Sequence, residues 1–238
     1  MSGRRVMAIV RKELRDYRRN RNTVVTMALI PAIFLVQPLV AILSLPASAS
    51  VPLSHKHELL YMLAIPALVP SVIAAASIVT ERERGTLEPV LTTPIRREEF
   101  LLAKALASLV PSVVISYAVY GIFVGVIELT AHAGVAPALL HVPEVIAQLI
   151  FTPLIASFSI WVGIAISTRV SDVRAAQQLS VLGNLPLVAL TTLISQNVVH
   201  PALGLALGLG ATLLVIDRLG WRIVSAMFDR ERLITGTR

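Results

Sequence analysis

The chain is 238 residues long, 55% hydrophobic and 15% charged, with a mean hydropathy of +0.78; soluble domains carry about 45–50% apolar and about 25% charged residues, so a water-soluble globule is excluded. It contains no cysteine, which removes disulfide frameworks, thiolate metal sites and a cysteine nucleophile. A net charge of +7 invites a nucleic-acid reading, but base-stacking aromatics make up only 5% and the basic residues lie at the borders of apolar runs, so no nucleic-acid partner is expected.

Along residues 1–22, Val6, Ile9, Val10, Leu14 and Tyr17 recur at helical spacing, while Arg11, Lys12, Arg15, Asp16, Arg18 and Arg19 take the other face. This predicts an amphipathic interfacial helix whose arginines suit anionic headgroups. The apolar stretch that follows, 23–45, exceeds the 7–15 residues of a signal-peptide core, so it predicts a span and not a cleaved leader.

Five further stretches approach the roughly 20 apolar residues that cross a hydrocarbon core: 59–79, 105–129, 145–167, 175–193 and 198–216. Runs this continuous are helices, not barrel strands. The predicted fold is therefore an all-α integral membrane protein, a single permease domain with a six-helix transmembrane bundle over 23–217. Orientation follows from the basic residues, which stay on the cytoplasmic side in short loops. Residues 1–22 hold eight Lys and Arg, 80–104 five, the segment after span four two and the tail 218–238 five, against Lys56 alone on the opposite side. Both termini are expected in the cytoplasm, with an amphipathic tail striped by Trp221, Val224 and Phe228.

The longest cytoplasmic loop reads ERERGTLEPVLTTPIRREEFLLAK over 81–104. Gly85 and Pro89 break any long helix, and Pro94 opens another with Glu98 and Glu99 in its first turns, where carboxylates suit the helix dipole. Two short elements joined near 89–94 are expected.

Within the spans, Pro31, Pro38, Pro66, Pro70, Pro111, Pro153 and Pro186 permit kinks. Polar side chains at depth are few, and Gln37 and Asn184 are the candidates to face a substrate path, although hydrogen bonding between helices accounts for such amides more often. The carboxylates Glu128 and Asp217 fall near span ends, which disfavours an ion-driven carrier. The histidines His55, His57, His132, His141 and His200 fall on the outer side; without a fixed third ligand they read as solvated, and no metal site is expected. No phosphate-binding loop, Ser/His/Asp arrangement or metal-protease pair occurs, so no catalytic residue is assigned.

Three fragments carry a family resemblance: Arg11-Lys12-Glu13-Leu14 in the basic start, ERERGTLEPVLTTPIRREEF in the central loop, and Ala103-Lys104 before span three. Together with Leu185-Pro186 and Phe228-Asp229-Arg230-Glu231 they make the chain similar to permease subunits of type-2 (ABC-2) export ATP-binding-cassette transporters. Such permeases more often carry Gly where Ala103 stands. The resemblance implies a coupling helix in the 80–104 loop, with Glu81, Arg82, Glu83, Arg84, Gly85, Thr86, Leu87 and Glu88 docking on a cytoplasmic ATPase. It also implies two ATPase copies, which bind the ATP and Mg while this chain holds no cofactor, and a second permease copy, most simply as a homodimer in the cell membrane. The rival reading is a free-standing secondary transporter or channel.

Overall fold

A computed structural model describes residues 3–43, 57–83, 85, 97–130, 137 and 140–227. Among them no strand occurs. Helix α1 spans Gly3–Arg19 and α2 Arg21–Leu43. A 3-10 turn, Glu58–Leu63, leads into α3, Ala64–Glu83. Then come α4, Arg97–Thr130, α5, Val142–Ser167, α6, Val173–Ser195, and α7, Leu203–Met227.

Five of these helices are long and apolar enough to cross a membrane: α3 with its leading turn, α4, α5, α6 and α7. The helix over the first expected span, α2, has 23 residues and carries an apolar stretch over Met27–Val40. The interior prolines, Pro31 and Pro38 in α2, Pro70 in α3, Pro111 in α4, Pro153 in α5 and Pro186 in α6, all lie within continuous helices.

Helix α3 is the axis of the bundle. Its apolar window is 94% buried, against 6% for α7, and it packs against α2, α4, α5 and α6. Small residues let backbones approach in a medium where no hydrophobic force drives helices together. Ala64, Ala67, Ser71, Ala74, Ala75 and Ser77 of α3 are buried, and Gly163 of α5 sits so close that an added Cβ would lie 2.3 Å from the Ser71 carbonyl oxygen. Outward faces stay apolar, as hydrocarbon requires: Leu29, Ile33 and Val40 on α2, Val110, Val114 and Ile122 on α4, and Leu207, Leu214 and Val215 on α7 are all exposed on the bundle.

Three segments depart from the sequence reading. The stripe of α1 does not face outward: Val6, Val10 and Tyr17 are buried in a cluster with Ala103 and Ala107 of α4, and Ile9 and Leu14 pack against it. The last helix begins at Leu203 instead of 198, since Asn197 takes a left-handed backbone (φ 58) and Pro201 precedes the helix. It also runs past 216 through Met227, so Trp221 and Val224 belong to the same rod and pack on α5; the Trp161 and Trp221 ring centroids are 5.6 Å apart at 73°. The join expected near 89–94 lies outside the described residues, while the second of the two elements expected there, the one with Glu98 and Glu99, is no separate short helix but continues from Arg97 into span three as α4.

Candidate docking site at the base of the 80–104 loop

The loop leaves α3 and returns through α4, so its two stems are the end of α3 and the start of α4. Gly85 closes the first stem. Its N–H donates to the Arg82 carbonyl oxygen at 3.1 Å and its φ is +65, a left-handed cap that costs a glycine little. The second begins at Arg97, with Glu98 and Glu99 in the first turn; Pro94, expected to open it, lies outside the described residues.

Between the stems and α1 lies a buried charge cluster. Lys104, two turns into α4, is 1% exposed. Its Nζ is 2.9 Å from Glu13 Oε2 on α1 and 3.1 Å from Glu81 Oε2 on α3, and it donates to the Ser77 carbonyl oxygen at 3.2 Å. An ammonium has three donors to place, and three oxygens surround this one. Lys12 of α1 closes the group from the solvent side, donating to Glu81 Oε1 at 2.7 Å and to Glu13 Oε1 at 3.4 Å. Two cations thus face two carboxylates in a neutral tetrad, the balance that buried charge demands. Burial pulls the Lys12 pKa down, but the hydrogen bond and charge of Glu81, with Glu13 behind, outweigh it and hold it above the ordinary lysine value.

Two further contacts fix α1. Arg5 pairs with the buried Glu99 of α4 at 3.8 Å, and the Tyr17 hydroxyl meets Ser108 Oγ at 3.4 Å. Burial first, and then the Glu13 charge, push the Tyr17 phenol far above its usual range, so it stays protonated.

The next two residues of α3 reach the other way, to the connection between α5 and α6. Arg82 donates through Nη2 to the Ser167 carbonyl oxygen at 3.0 Å and through Nη1 to that of Val170 at 3.1 Å, placing a cation at the carbonyl end of α5. Glu83 Oε1 accepts from the Val173 N–H at 3.3 Å, beside Asp172, which caps α6 by accepting from the Ala175 N–H at 2.7 Å. Both carboxylates stand at the positive end of α6.

Of the residues expected to dock a partner, Glu81 is therefore buried and ion-paired, Arg82 half-buried on the neighbouring loop, and Glu83 and Gly85 exposed; Arg84, Thr86, Leu87 and Glu88 lie outside the described residues. Asn184 is fully buried between α5 and α6: its Oδ1 accepts from Ser159 Oγ at 2.9 Å and its Nδ2 donates to the Ser180 carbonyl oxygen at 2.8 Å. The backbone of Gln37 is part of α2, and its side chain lies outside the described residues.

The sequence reading did not assign roles to Lys12, Glu13 or Lys104. A signal existed for Glu13, which shares the buried stripe of α1 with Val6, Val10 and Tyr17. At the opposite end of the bundle, His57 is fixed and not merely solvated. Its backbone N–H donates to the Ser195 carbonyl oxygen at 3.0 Å, and its ring Nδ1 lies 2.7 Å from Oε1 of the buried Glu144, which His141 Nδ1 approaches to 3.2 Å. Among the described residues no group of three or more His, Asp or Glu is arranged to hold a metal ion.

The fragments Lys12-Glu13, Glu81 and Lys104, far apart in sequence, thus meet in one cluster. No curated protein matches the sequence. A family model described as ABC-2 family transporter protein matches residues 7–211, which include the whole tetrad and both loop stems. With five helices long and apolar enough to cross a membrane, the chain belongs to the ABC-2 transporter family and is a membrane-embedded transport permease.

Proposed function

We propose that this permease is the membrane half of an ATP-driven exporter, moving its substrate across the cell membrane with energy from a separate cytoplasmic ATPase. The observation that carries the reading is the joint at the loop's base. Glu81 and Lys104 tie the two stems together, while Arg82 and Glu83 tie the first stem to the α5–α6 connection. A displacement of the docked loop is then passed to α3, the buried axis, and through it to α4, α5 and α6. The docking surface is the segment 81–88, in which Glu83 and Gly85 are exposed among the described residues. The phosphate loop, ATP and Mg belong to the partner, because this chain has no Gly-x-x-x-x-Gly-Lys-Ser/Thr sequence. In this reading α2 completes six spans with both termini in the cytoplasm, and two permease copies work with two ATPase copies.

The test is purification of the full chain from its own membranes. A phosphate-loop ATPase and ATP hydrolysis are expected to co-purify, and to be lost in the Glu83→Ala/Arg84→Ala variant while the amount of inserted permease is unchanged. Recovery of the same active complex with that variant would remove the docking role; a purified chain that transports on an ion gradient alone would favour a secondary transporter.

A further inference from the structure

Helix α1 resembles a surface anchor in sequence, and its arginines are exposed, yet Glu13 and Lys12 turn to the bundle. Glu13 is 4% exposed and points its carboxylate at Lys104, not at solvent. Lys12 is half-exposed and reaches across to Glu81 of α3. Lys104 is the only residue of the tetrad on α4, and it meets carboxylates from both other helices at once. The Ser77 carbonyl oxygen takes its remaining direction, and the Phe100 ring lies 5.6 Å from Nζ, so the ammonium is held from every side by α1, α3 and α4.

We propose that Lys104 is the positioning residue of the docking joint: it fastens α1 to both stems of the loop, so that the amino-terminal helix moves with the loop as part of the coupling apparatus. This deepens the docking reading above and rests on it for its function, but the fastening itself is a property of this chain alone. Charge balance is what makes the fastening specific. Removing Lys104 leaves Glu13 and Glu81 facing each other with only Lys12 between them, whereas removing one carboxylate along with it restores a neutral pair, Lys12 and Glu81.

The natural sequence has no cysteine, so one introduced thiol reports cleanly. Ser108, fully buried beneath Tyr17 at the α1–α4 contact, becomes Ser108→Cys; Ser180, fully buried in α6, becomes the distant control Ser180→Cys. The full chain in lipid nanodiscs, open to reagent on both faces, is exposed to a charged maleimide. With Lys104→Met, labelling at position 108 is expected to accelerate by about tenfold or more, the effect of an uncompensated buried charge, with no change at 180. Adding Glu13→Gln to Lys104→Met is expected to return labelling at 108 toward the parent rate.

Protection of position 108 in Lys104→Met overturns the proposal. So does a double variant that labels as fast as the single one, because loss of side-chain packing alone would add up where loss of charge balance cancels. Should Lys104→Met expose both reporters, Glu13→Gln alone decides: faster labelling confined to 108 supports the fastening, and an unchanged rate at 108 overturns it. Failure to find an ATPase partner would remove the docking reading and leave these rates as they are, so the two failures are distinguishable.

Discussion

A lysine that is 1% exposed beside Phe100, Leu101, Ala103 and Ala107 is tolerated only when its charge is answered. In the sequence Lys104 ends a basic loop and counts toward topology, since nothing local announces that carboxylates 91 and 23 positions earlier come within 3.1 Å. Glu13 was more legible, as an acid on an apolar stripe. Because the Lys12 pKa is raised, its contribution to stability is fully present below the ordinary lysine value of 10.5 and is lost only as pH climbs through the higher folded value. Stability measured across neutral pH should therefore carry no step from Lys12; a loss near pH 7 to 8 that disappears in Lys12→Met would contradict this. Asn184 gives a second residue-scale prediction. Asn184→Leu deprives Ser159 of its acceptor across the α5–α6 contact, and thermal unfolding should show a loss of about 0.6–1.7 kcal/mol, the range for hydrogen bonds between membrane helices.

Elements were easier to find than their ends. Continuous apolar runs located α3 to α6 to within a few residues at most of their membrane ends, because length and hydropathy are properties of the run itself. The start of α7 depended on a left-handed Asn197 and its end on packing between Trp221 and Trp161, neither of which a hydropathy window reads. Helix α1 was legible as amphipathic, but which surface its stripe covers depends on α4. The position of the α5–α6 connection depends on α3. Arg82 and Glu83 hold its two sides, so Arg82→Gln should raise proteolytic cleavage within 168–172 several-fold, as expected where local hydrogen bonds are lost; unchanged cleavage would deny Arg82 that role. Asp172→Ala should cost α6 about 1 kcal/mol through loss of its amino-terminal cap. At the α3–α5 crossing, Gly163→Ala drives a methyl group against the Ser71 carbonyl oxygen. A stability loss of about 1–3 kcal/mol is expected in thermal unfolding, and a neutral result would mean the two backbones separate easily.

At the scale of the whole molecule, the buried axis and the loop are continuous: α3 is enclosed by α2, α4, α5 and α6 and ends in the residues that grip α1, α4 and the α5–α6 connection. Composition and charge sufficed to identify a helical membrane protein, and three short fragments sufficed to suggest its family, since both are written along the chain. The joint was illegible because it is made from side chains on α1, α3 and α4, and only the folded bundle brings them together. Docking as proposed requires this joint, and the rest of the 81–88 segment, to face the cytoplasm and meet the proposed ATPase. The most direct measurement is labelling of Arg84→Cys in the otherwise cysteine-free chain with a membrane-impermeant maleimide. No reaction is expected on intact cells, rapid reaction on inside-out vesicles, and protection when the ATPase is bound; reaction on intact cells, or no protection by the ATPase, would contradict it.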